Sequence, residues 1–331
     1  MKKIAALSLV LLLIIGSFVV LRPKNDFPSG KPGPVVNIDI AAGASGAEIG
    51  NALEKYGVIK SASAFFNLAR RDSSAGRIGP GTHQIQTHIP VKEALKQLLD
   101  QGRLANQVVI PEASTFGDVL SILKKAKTID SSEAISSKNL VPYFVNPRNS
   151  LEGQIFPAHY AFAPQTSITD ALSAMVTRFK ESSLSTGITK GYGKFSPYEV
   201  LIIASMVQIE GDPTDFDKVA QTIYNRLRIG MPLQLNSTVQ YAAHLRGRIA
   251  LSTAATQINS PYNTYRHVGL PPTPISNPSE AAIRATLNPA VGDWLYFITV
   301  APGDTRFTKD YSQFQEWEVL FHRNLNAGGF N

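Results

Sequence analysis

The stretch S-P-Y-E-V-L-I-I-A-S-M-V-Q-I-E-G-D, which runs from Ser196 to Asp212, predicts a buried helix. Ser196 and Glu199 have the spacing of a capping box, and Pro197 suits the first helical position. From Val200 to Val207 nearly every side chain is apolar or small, so no face is left for water. The stretch therefore predicts a helix at the centre of a folded domain.

Glu210 lies in the last turn of this helix and is a candidate general acid. The negative end of the helix dipole and partial burial both raise the pKa of a carboxyl group, which then keeps its proton closer to neutral pH. A structural role is the alternative. Glu210 would then pair with Arg226 or Arg228, or be exposed to solvent where the helix meets Gly211.

The composition excludes several kinds of chemistry. The chain has 331 residues, enough for two domains, and no cysteine, so disulfides, thiolate metal sites and cysteine nucleophiles are ruled out. The six histidines lack metal-ligand spacing, and we expect no metal and no cofactor. Phosphate-binding loops, dinucleotide fingerprints and the serine nucleophile elbow are also missing from the sequence.

The net charge of +7 favours anionic neighbours such as lipid headgroups or wall polymers. Lysine and arginine are spread along the chain, so we do not expect nucleic acid as a partner. Residues 4–21 form an apolar run of eighteen residues, which spans about 27 Å as a helix. No signal-peptidase-like site precedes Arg22. We therefore predict an uncleaved membrane anchor at residues 1–22, with the lipid bilayer as its partner, and a linker rich in proline and glycine at 23–35.

Strand and helix patterns beyond the linker predict an α+β fold. Val35 to Ile40 alternates like a strand, Ser45 and Glu48 form a capping box, and Val91 to Leu99 has helical periodicity. These patterns predict a small α/β domain at residues 36–106. We read residues 107–150 as a connecting segment and 151–331 as a larger mixed α/β domain.

Polar and aromatic residues cluster after Glu210 and suggest a saccharide cleft. Neutral amides and hydroxyls match sugar hydroxyls and acetamides, and tyrosine offers a flat apolar face to a sugar ring. Taken one by one, the same residues could be turn asparagines and aromatics at the edge of a core. The set comprises Asn225, Arg226, Gln234, Asn236, Ser237, Thr238, Tyr241, Ser260 to Tyr265 and Gly269 to Pro278.

Several blocks, in this order, resemble the endolytic murein transglycosylases of the YceG-like family. The blocks are L-E-G-Q-I-F-P from Leu151, A-S-M-V-Q-I-E from Ala204, K-V-A-Q-T-I-Y-N-R-L from Lys218, G-M-P-L-Q-L-N-S-T-V from Gly230, S-P-Y-N-T-Y from Ser260, G-L-P-P-T-P-I-S-N-P from Gly269 and W-L-Y-F from Trp294. The resemblance also fits an N-terminal anchor followed by a small domain similar to LysM, and it makes residues 151–331 the catalytic domain.

The resemblance implies a single-pass enzyme of the inner (cytoplasmic) membrane whose catalytic domain lies outside the cytoplasm. It would cut peptidoglycan glycan strands between N-acetylmuramic acid and N-acetylglucosamine, leave 1,6-anhydromuramyl ends, and so terminate or trim nascent strands. Peptidoglycan synthases and division proteins are the expected protein partners.

The catalytic Glu of the family falls on Glu210, and Gln208 stands where the family often has a second Glu. We expect Gln208 to hydrogen-bond near the oxocarbenium-like centre. The full set of expected substrate-binding residues is Gln208, Asn225, Gln234, Ser237, Thr238, Tyr262, Asn263, Tyr265, Asn277 and Glu152.

Two other functions remain open from the sequence. A muramidase would use water and a partner carboxylate, with Asp212, Asp215 and Asp217 as candidates. Those acids could equally cap the helix that starts near Lys218. Alternatively, the protein could be a non-catalytic scaffold that binds glycan without cutting it.

Overall fold

The computed structural model describes residues 26–41, 43–132, 134–136, 140–245 and 255–330. The chain divides into two compact units. The first comprises the chain up to Val108 together with Ala126–Asp130 and Tyr160–Thr166. The second comprises Val109–Lys125, Ser131–His159 and the chain from Ser167 onward, and it therefore contains Glu210.

The first unit is an antiparallel sheet packed against helices. Its strands, in the order β1-β2-β3, are β1 (Val35–Ile40), β2 (Gly81–Gln86) and β3 (Leu104–Ala105), and its helices are α1 (Gly46–Lys55), α2 (Ala62–Ala69) and α3 (Val91–Leu99). The capping box predicted at the start of α1 is present, with Glu48 N donating to Ser45 Oγ and Ser45 N to Glu48 Oε2. The predicted strand β1 and helix α3 are confirmed, whereas the likeness to LysM stays a prediction.

Four short strands follow along the chain. They are β4 (Val108–Ile110), β5 (Ile129–Asp130), β6 (Ala158–Tyr160) and β7 (Thr166–Ser167). Short 3-10 helices occur at Ser73–Arg77, Gln101–Arg103, Ile188–Lys190 and Ala255–Gln257.

The second unit is mainly helical and carries a β-hairpin near its C-terminal end. Its helices are α4 (Phe116–Lys125), α5 (Ile168–Thr186), α6 (Pro197–Glu210), α7 (Phe216–Arg228), α8 (Asn236–Ala242), α9 (Glu280–Leu287) and α10 (Tyr311–Asn326). The hairpin consists of the antiparallel strands β8 (Tyr296–Ala301) and β9 (Asp304–Thr308). Phe297 and Phe307 face each other across this hairpin and pack against the core around α6.

Helix α6 is the centre of the second unit, as its sequence predicts. Glu199 N donates to Ser196 Oγ at 3.3 Å, and Ser196 N donates to Glu199 Oε2 at 2.8 Å, which completes the capping box. Every residue from Val200 to Val207 is buried, against α7 on one side and α9 on another. The helix ends at Glu210, and this places the carboxylate at the edge of the core.

Most of the segment between the two expected domains belongs to the second unit. The sequence suggests that residues 107–150 merely connect two domains, but long-range hydrogen bonds tie this region to the rest of the second unit. Asn277 Nδ2 donates to Ser114 O at 2.8 Å, and Asn277 Oδ1 accepts from Ile155 N at 2.9 Å. Glu152 Oε1 accepts from Phe116 N at 3.0 Å.

No helix within the described ranges, which begin at residue 26, is both long and apolar enough to cross a membrane. The predicted anchor at residues 1–22 lies outside the described residues.

Candidate active site

Glu210 is held by Ser237, a residue of the first turn of α8. Ser237 N donates to Glu210 Oε1 at 3.2 Å, and Ser237 Oγ donates to the same oxygen. Within the described part of the chain, Glu210 Oε2 has no hydrogen-bond partner. One oxygen of the carboxyl group is therefore fixed, while the other is available to a ligand.

Burial raises the pKa of Glu210 above its ordinary value. The two hydrogen bonds from Ser237 and the positive charge of Arg226 act in the opposite direction, because they favour the ionised form. Burial is the larger influence, so the net shift is upward. A carboxyl group in this state keeps its proton at a higher pH than an exposed glutamate does, as a general acid requires.

Arg226 lies near Glu210 but does not neutralise it directly. Its side chain is 7% exposed, and its Nε donates to Leu295 O at 2.5 Å while its Nη1 donates to Leu233 O. Among the described residues, Glu210 forms no ion pair with either Arg226 or Arg228. In the described residues, Glu210 therefore does not act as a salt-bridge partner of these arginines, which was the structural alternative.

Thr264 organises the loop that carries Ser237. Its carbonyl oxygen accepts from Gln234 N at 3.1 Å, its Oγ1 accepts from Leu235 N at 3.0 Å, and its Oγ1 lies 2.9 Å from Thr238 Oγ1. Gln234 has a positive φ of 48°, which is costly for a residue other than glycine. Its side chain is exposed, so Gln234 remains a candidate for contact with substrate.

Tyr265 lies beside the same loop. Its hydroxyl donates to Asn236 Oδ1 at 2.7 Å, and Asn236 directly precedes Ser237. Burial and then the negative charge of Glu210 raise the pKa of Tyr265 to about 12. The phenol is therefore neutral at physiological pH.

The buried asparagines in the expected binding set support loops. Asn225 Nδ2 donates to Gly292 O at 3.1 Å and to Trp294 O at 2.9 Å. Asn263 Nδ2 donates to Thr256 O and Ile258 O at 2.9 and 2.8 Å. Asn277 is likewise fully buried and bonded to the main chain, as described above. In this arrangement the amides of these three residues hold the walls of the site rather than face a sugar.

Gln208 leaves α6 in a different direction from Glu210. Two residues along a helix correspond to a rotation of about 200°. Gln208 Oε1 accepts from Ser279 N at 2.8 Å, and its Nε2 donates to Glu112 Oε2 at 3.4 Å. Gln208 therefore holds the start of α9, and the expected hydrogen bond near an oxocarbenium centre does not fit this position.

Glu152 is a second buried carboxylate, and its oxygens are already bound. Its Oε1 accepts from Phe116 N at 3.0 Å and its Oε2 accepts from the hydroxyl of Tyr241 at 3.0 Å. The ring of Tyr241 contacts that of Tyr262, whose hydroxyl lies 2.8 Å from Thr273 Oγ1. Glu152 and Tyr262 thus belong to a hydrogen-bonded wall of the second unit.

Two of the three candidate partner carboxylates of a hydrolase, Asp215 and Asp217, contact Lys218 at the start of α7. Asp215 Oδ1 lies 3.3 Å from Lys218 Nζ, and Asp217 Oδ1 accepts from Lys218 N at 2.9 Å. Asp215 is the N-cap residue of α7, but its side chain makes no capping hydrogen bond, so the capping alternative is not confirmed. Thr264 belongs to the polar set named from the sequence, but its role rests on partners about thirty residues away. Glu112 was not singled out, because it has no recognisable sequence signal.

Comparison with known proteins places this arrangement in a family. The sequence model of the YceG-like family matches residues 38–318. A Bacillus subtilis protein named endolytic murein transglycosylase is 32% identical over 295 residues, which cover 83% of this chain and 81% of that protein. A Streptococcus pneumoniae protein of the same name is 30% identical over 80% of this chain, and the match covers about half (54%) of that longer protein.

A solved structure supports the same assignment. The 2.6 Å crystal structure of a yceG-like protein from Listeria monocytogenes is 25% identical and superposes with a TM-score of 0.53. The match covers 85% of this chain and 98% of that one. With a family match over most of its length and a relative that is 32% identical over most of both chains, the chain belongs to the YceG-like family.

Proposed function

We propose that the chain is a lytic transglycosylase that cuts peptidoglycan glycan strands internally, with Glu210 as its single catalytic acid. The observation that carries the proposal is the state of Glu210. Its pKa is raised by burial, one oxygen is fixed by Ser237, and the other oxygen is unbonded in the described residues. The enzyme class is supported by family membership and by the names of the relatives.

The reaction needs one group that first gives a proton and then takes one back. Protonated Glu210 would donate to the glycosidic oxygen as its bond to the anomeric carbon of N-acetylmuramic acid breaks. The resulting carboxylate would accept the proton of the 6-hydroxyl of that sugar as its oxygen bonds to the same carbon. The products are a 1,6-anhydromuramyl end and a free N-acetylglucosamine hydroxyl, and no water is consumed.

Attack by a hydroxyl of the substrate itself removes the need for a second carboxylate. An intramolecular nucleophile is already positioned, which is worth several kcal/mol of the barrier. Most glycoside hydrolases instead use a pair of carboxylates. Two of the three candidate partner carboxylates, Asp215 and Asp217, are engaged with Lys218, which favours a mechanism with a single carboxylate.

The place of action follows from the substrate. Peptidoglycan lies outside the cytoplasm, so the second unit would act there. The apolar run at residues 4–21 would hold the enzyme at the inner membrane, close to nascent strands, and would bring peptidoglycan synthases and division proteins within reach.

The test is to incubate the full-length chain, in detergent, with peptide-free glycan strands and to determine the sugar ends by mass spectrometry. We expect internal fragments with 1,6-anhydro ends, and their loss with Glu210→Gln. Glu181→Gln, an exposed change on α5, is the matched control and should keep activity. Reducing ends, heavier by one water, would indicate a hydrolase, and intact strands would favour a binding protein.

A further inference from the structure

We propose that Tyr296, Tyr311 and Phe314 form a platform, here called the aromatic shelf, on which a sugar ring of the bound glycan strand stacks. The proposal rests on the proposed function for its ligand, and it extends the binding site from Glu210 onto β8 and α10.

The three rings of the aromatic shelf contact one another. The ring centroid of Tyr296 lies 5.3 Å from that of Tyr311 and 5.3 Å from that of Phe314. Tyr311 and Phe314 are 6.1 Å apart, and their planes differ by only 22°. Tyr311 is 52% exposed and the other two are partly exposed. A broad aromatic surface is therefore open to solvent.

Arg226 links the aromatic shelf to the loop that holds the acid. Its Nε donates to Leu295 O, directly before Tyr296, and its Nη1 donates to Leu233 O, on the loop that leads to Ser237. The guanidinium carbon lies 5.4 Å from the centre of the Tyr296 ring. One buried side chain thus contacts both the shelf and the loop that fixes Glu210.

A second observation connects helix α10 with the loop that fixes Glu210. Glu318 follows Tyr311 by seven residues, about two helical turns, so both lie on one face of the helix. After burial and the charge of Glu210, the charge of Glu318 also raises the pKa of Tyr265. Tyr265 is bonded to Asn236, the neighbour of Ser237. Glu318, on the face of α10 that carries Tyr311, is therefore within electrostatic range of a residue that bonds to the Glu210 loop.

The chemistry of the shelf suits a pyranose ring. One face of a β-linked N-acetylhexosamine presents C–H groups, which pack well on a flat aromatic surface. Tyrosine and phenylalanine lose little conformational freedom on binding, because their side chains have only two rotatable angles. A subsite of this kind would bind a sugar unit of the strand other than those joined by the bond that Glu210 cleaves.

Binding is tested separately from cleavage, in the full-length Glu210→Gln chain and with peptide-free glycan strands as the probe. Adding Tyr311→Ala should weaken binding about tenfold, whereas Tyr311→Phe should retain it. The matched control is Tyr192→Ala, because Tyr192 is also a partly exposed tyrosine (37%) whose ring packs on another, that of Tyr224 at 4.9 Å. It should leave the affinity unchanged.

In chains with an intact Glu210, Tyr311→Ala should raise KM about tenfold and change kcat little, because the shelf is remote from the reacting bond. The aromatic shelf would be overturned if Tyr311→Ala left both affinity and KM unchanged, or if Tyr192→Ala lowered the affinity by the same factor. If strands bind in a Tyr311-dependent way but are never cut, the shelf stands and the proposed function fails. If strands are cut and Tyr311→Ala changes neither affinity nor KM, the proposed function stands and the aromatic shelf fails.

Discussion

Opposing influences act on the carboxyl group of Glu210. Burial favours the protonated form, while Ser237 and Arg226 favour the ionised form. A residue that must first release a proton and then accept one works best when neither form is strongly preferred near the operating pH. The hydrogen bonds from Ser237 therefore tune Glu210 as well as orient it.

Ser237→Ala should raise the pKa of Glu210 further, because it removes the hydroxyl bond and keeps only the bond from the main-chain N–H. The acid must be protonated to act, so we expect the alkaline limb of the kcat/KM profile to move to higher pH. The loss of one hydrogen bond, about 1 kcal/mol, should also lower kcat roughly fivefold. A limb that stays in place or moves to lower pH would contradict this account.

Glu210→Gln should stabilise the fold at neutral pH. The folded-state pKa of Glu210 is raised, so the native state binds more protons than the unfolded state between the two pKa values, and stability falls as pH rises through that window. Glutamine does not ionise. The gain in melting temperature should therefore be largest above the raised pKa, shrink as pH falls through that window, and vanish below the ordinary carboxyl pKa of the unfolded chain, as calorimetry can measure. A constant difference across pH would argue against a raised pKa.

Individual residues were predictable where their role is local. The position of Glu210 at the end of a buried helix is as the sequence predicts, whereas Ser237, expected to bind substrate, bonds to the Glu210 carboxyl group. The roles of Asn277 and Gln208 depend on partners 122 and 71 residues away, so no local pattern could reveal them. Their polarity suggested that Asn225, Asn263 and Asn277 bind sugar, but in the structure their side-chain amides hydrogen-bond to main-chain groups of loops.

At the scale of elements, Ser205 fastens the proline-rich loop to α6. Its Oγ donates to Ile202 O at 2.7 Å and accepts from Ile275 N at 3.0 Å, and its carbonyl accepts from Ser276 Oγ at 3.0 Å. Ser205, Ile275 and Ser276 are fully buried. The helix that ends at Glu210 thus also sets the position of the loop that contains Asn277.

Ser205→Ala should lower the free energy of unfolding by about 1–3 kcal/mol, because Ile275 N then remains buried without an acceptor. Ser183→Ala is the matched control. Ser183 is also fully buried, but its Oγ has no hydrogen-bond partner within the described residues, so its removal should cost little or even stabilise. Chemical denaturation measures both. Equal effects of the two substitutions would contradict the role given to Ser205.

Elements with strong end signals were predicted well. Capping boxes fix the starts of α1 and α6, and these helices begin where the sequence indicates. Helix α8 and the hairpin β8–β9 were not predicted. Helix α8 has only seven residues and no side-chain cap, and the hairpin strands have no clean alternation of buried and exposed positions. Their positions depend on packing against the core rather than on local pattern.

At the scale of the whole molecule, composition and family blocks indicated two folded parts, but not where one ends. The sequence predicts a connecting segment at residues 107–150, yet residues 109–125 and 131–150 belong to the second unit. The reason is again long-range: main-chain groups of Ser114 and Phe116 bond to Asn277 and Glu152. A domain boundary that depends on such long-range contacts cannot be predicted from amino-acid composition.

Replacing residues 1–25 with a cleavable secretion signal should change glycan strand length in cells. Tethering would keep the enzyme near the membrane, where strands are synthesised, so a released enzyme should miss nascent strands and leave them longer. Chromatography of strands from the two kinds of cell measures this. The released form must still cut purified strands as the full chain does. Equal strand lengths in the two kinds of cell would count against a role for the anchor.

The most direct test of the central claim is to run the cleavage reaction in water enriched in ¹⁸O and to analyse the new sugar ends. If Glu210 serves an intramolecular attack by the 6-hydroxyl, the new ends are 1,6-anhydro sugars without ¹⁸O, and they disappear with Glu210→Gln. Reducing ends that carry ¹⁸O would show that water is the nucleophile and would contradict the proposed mechanism.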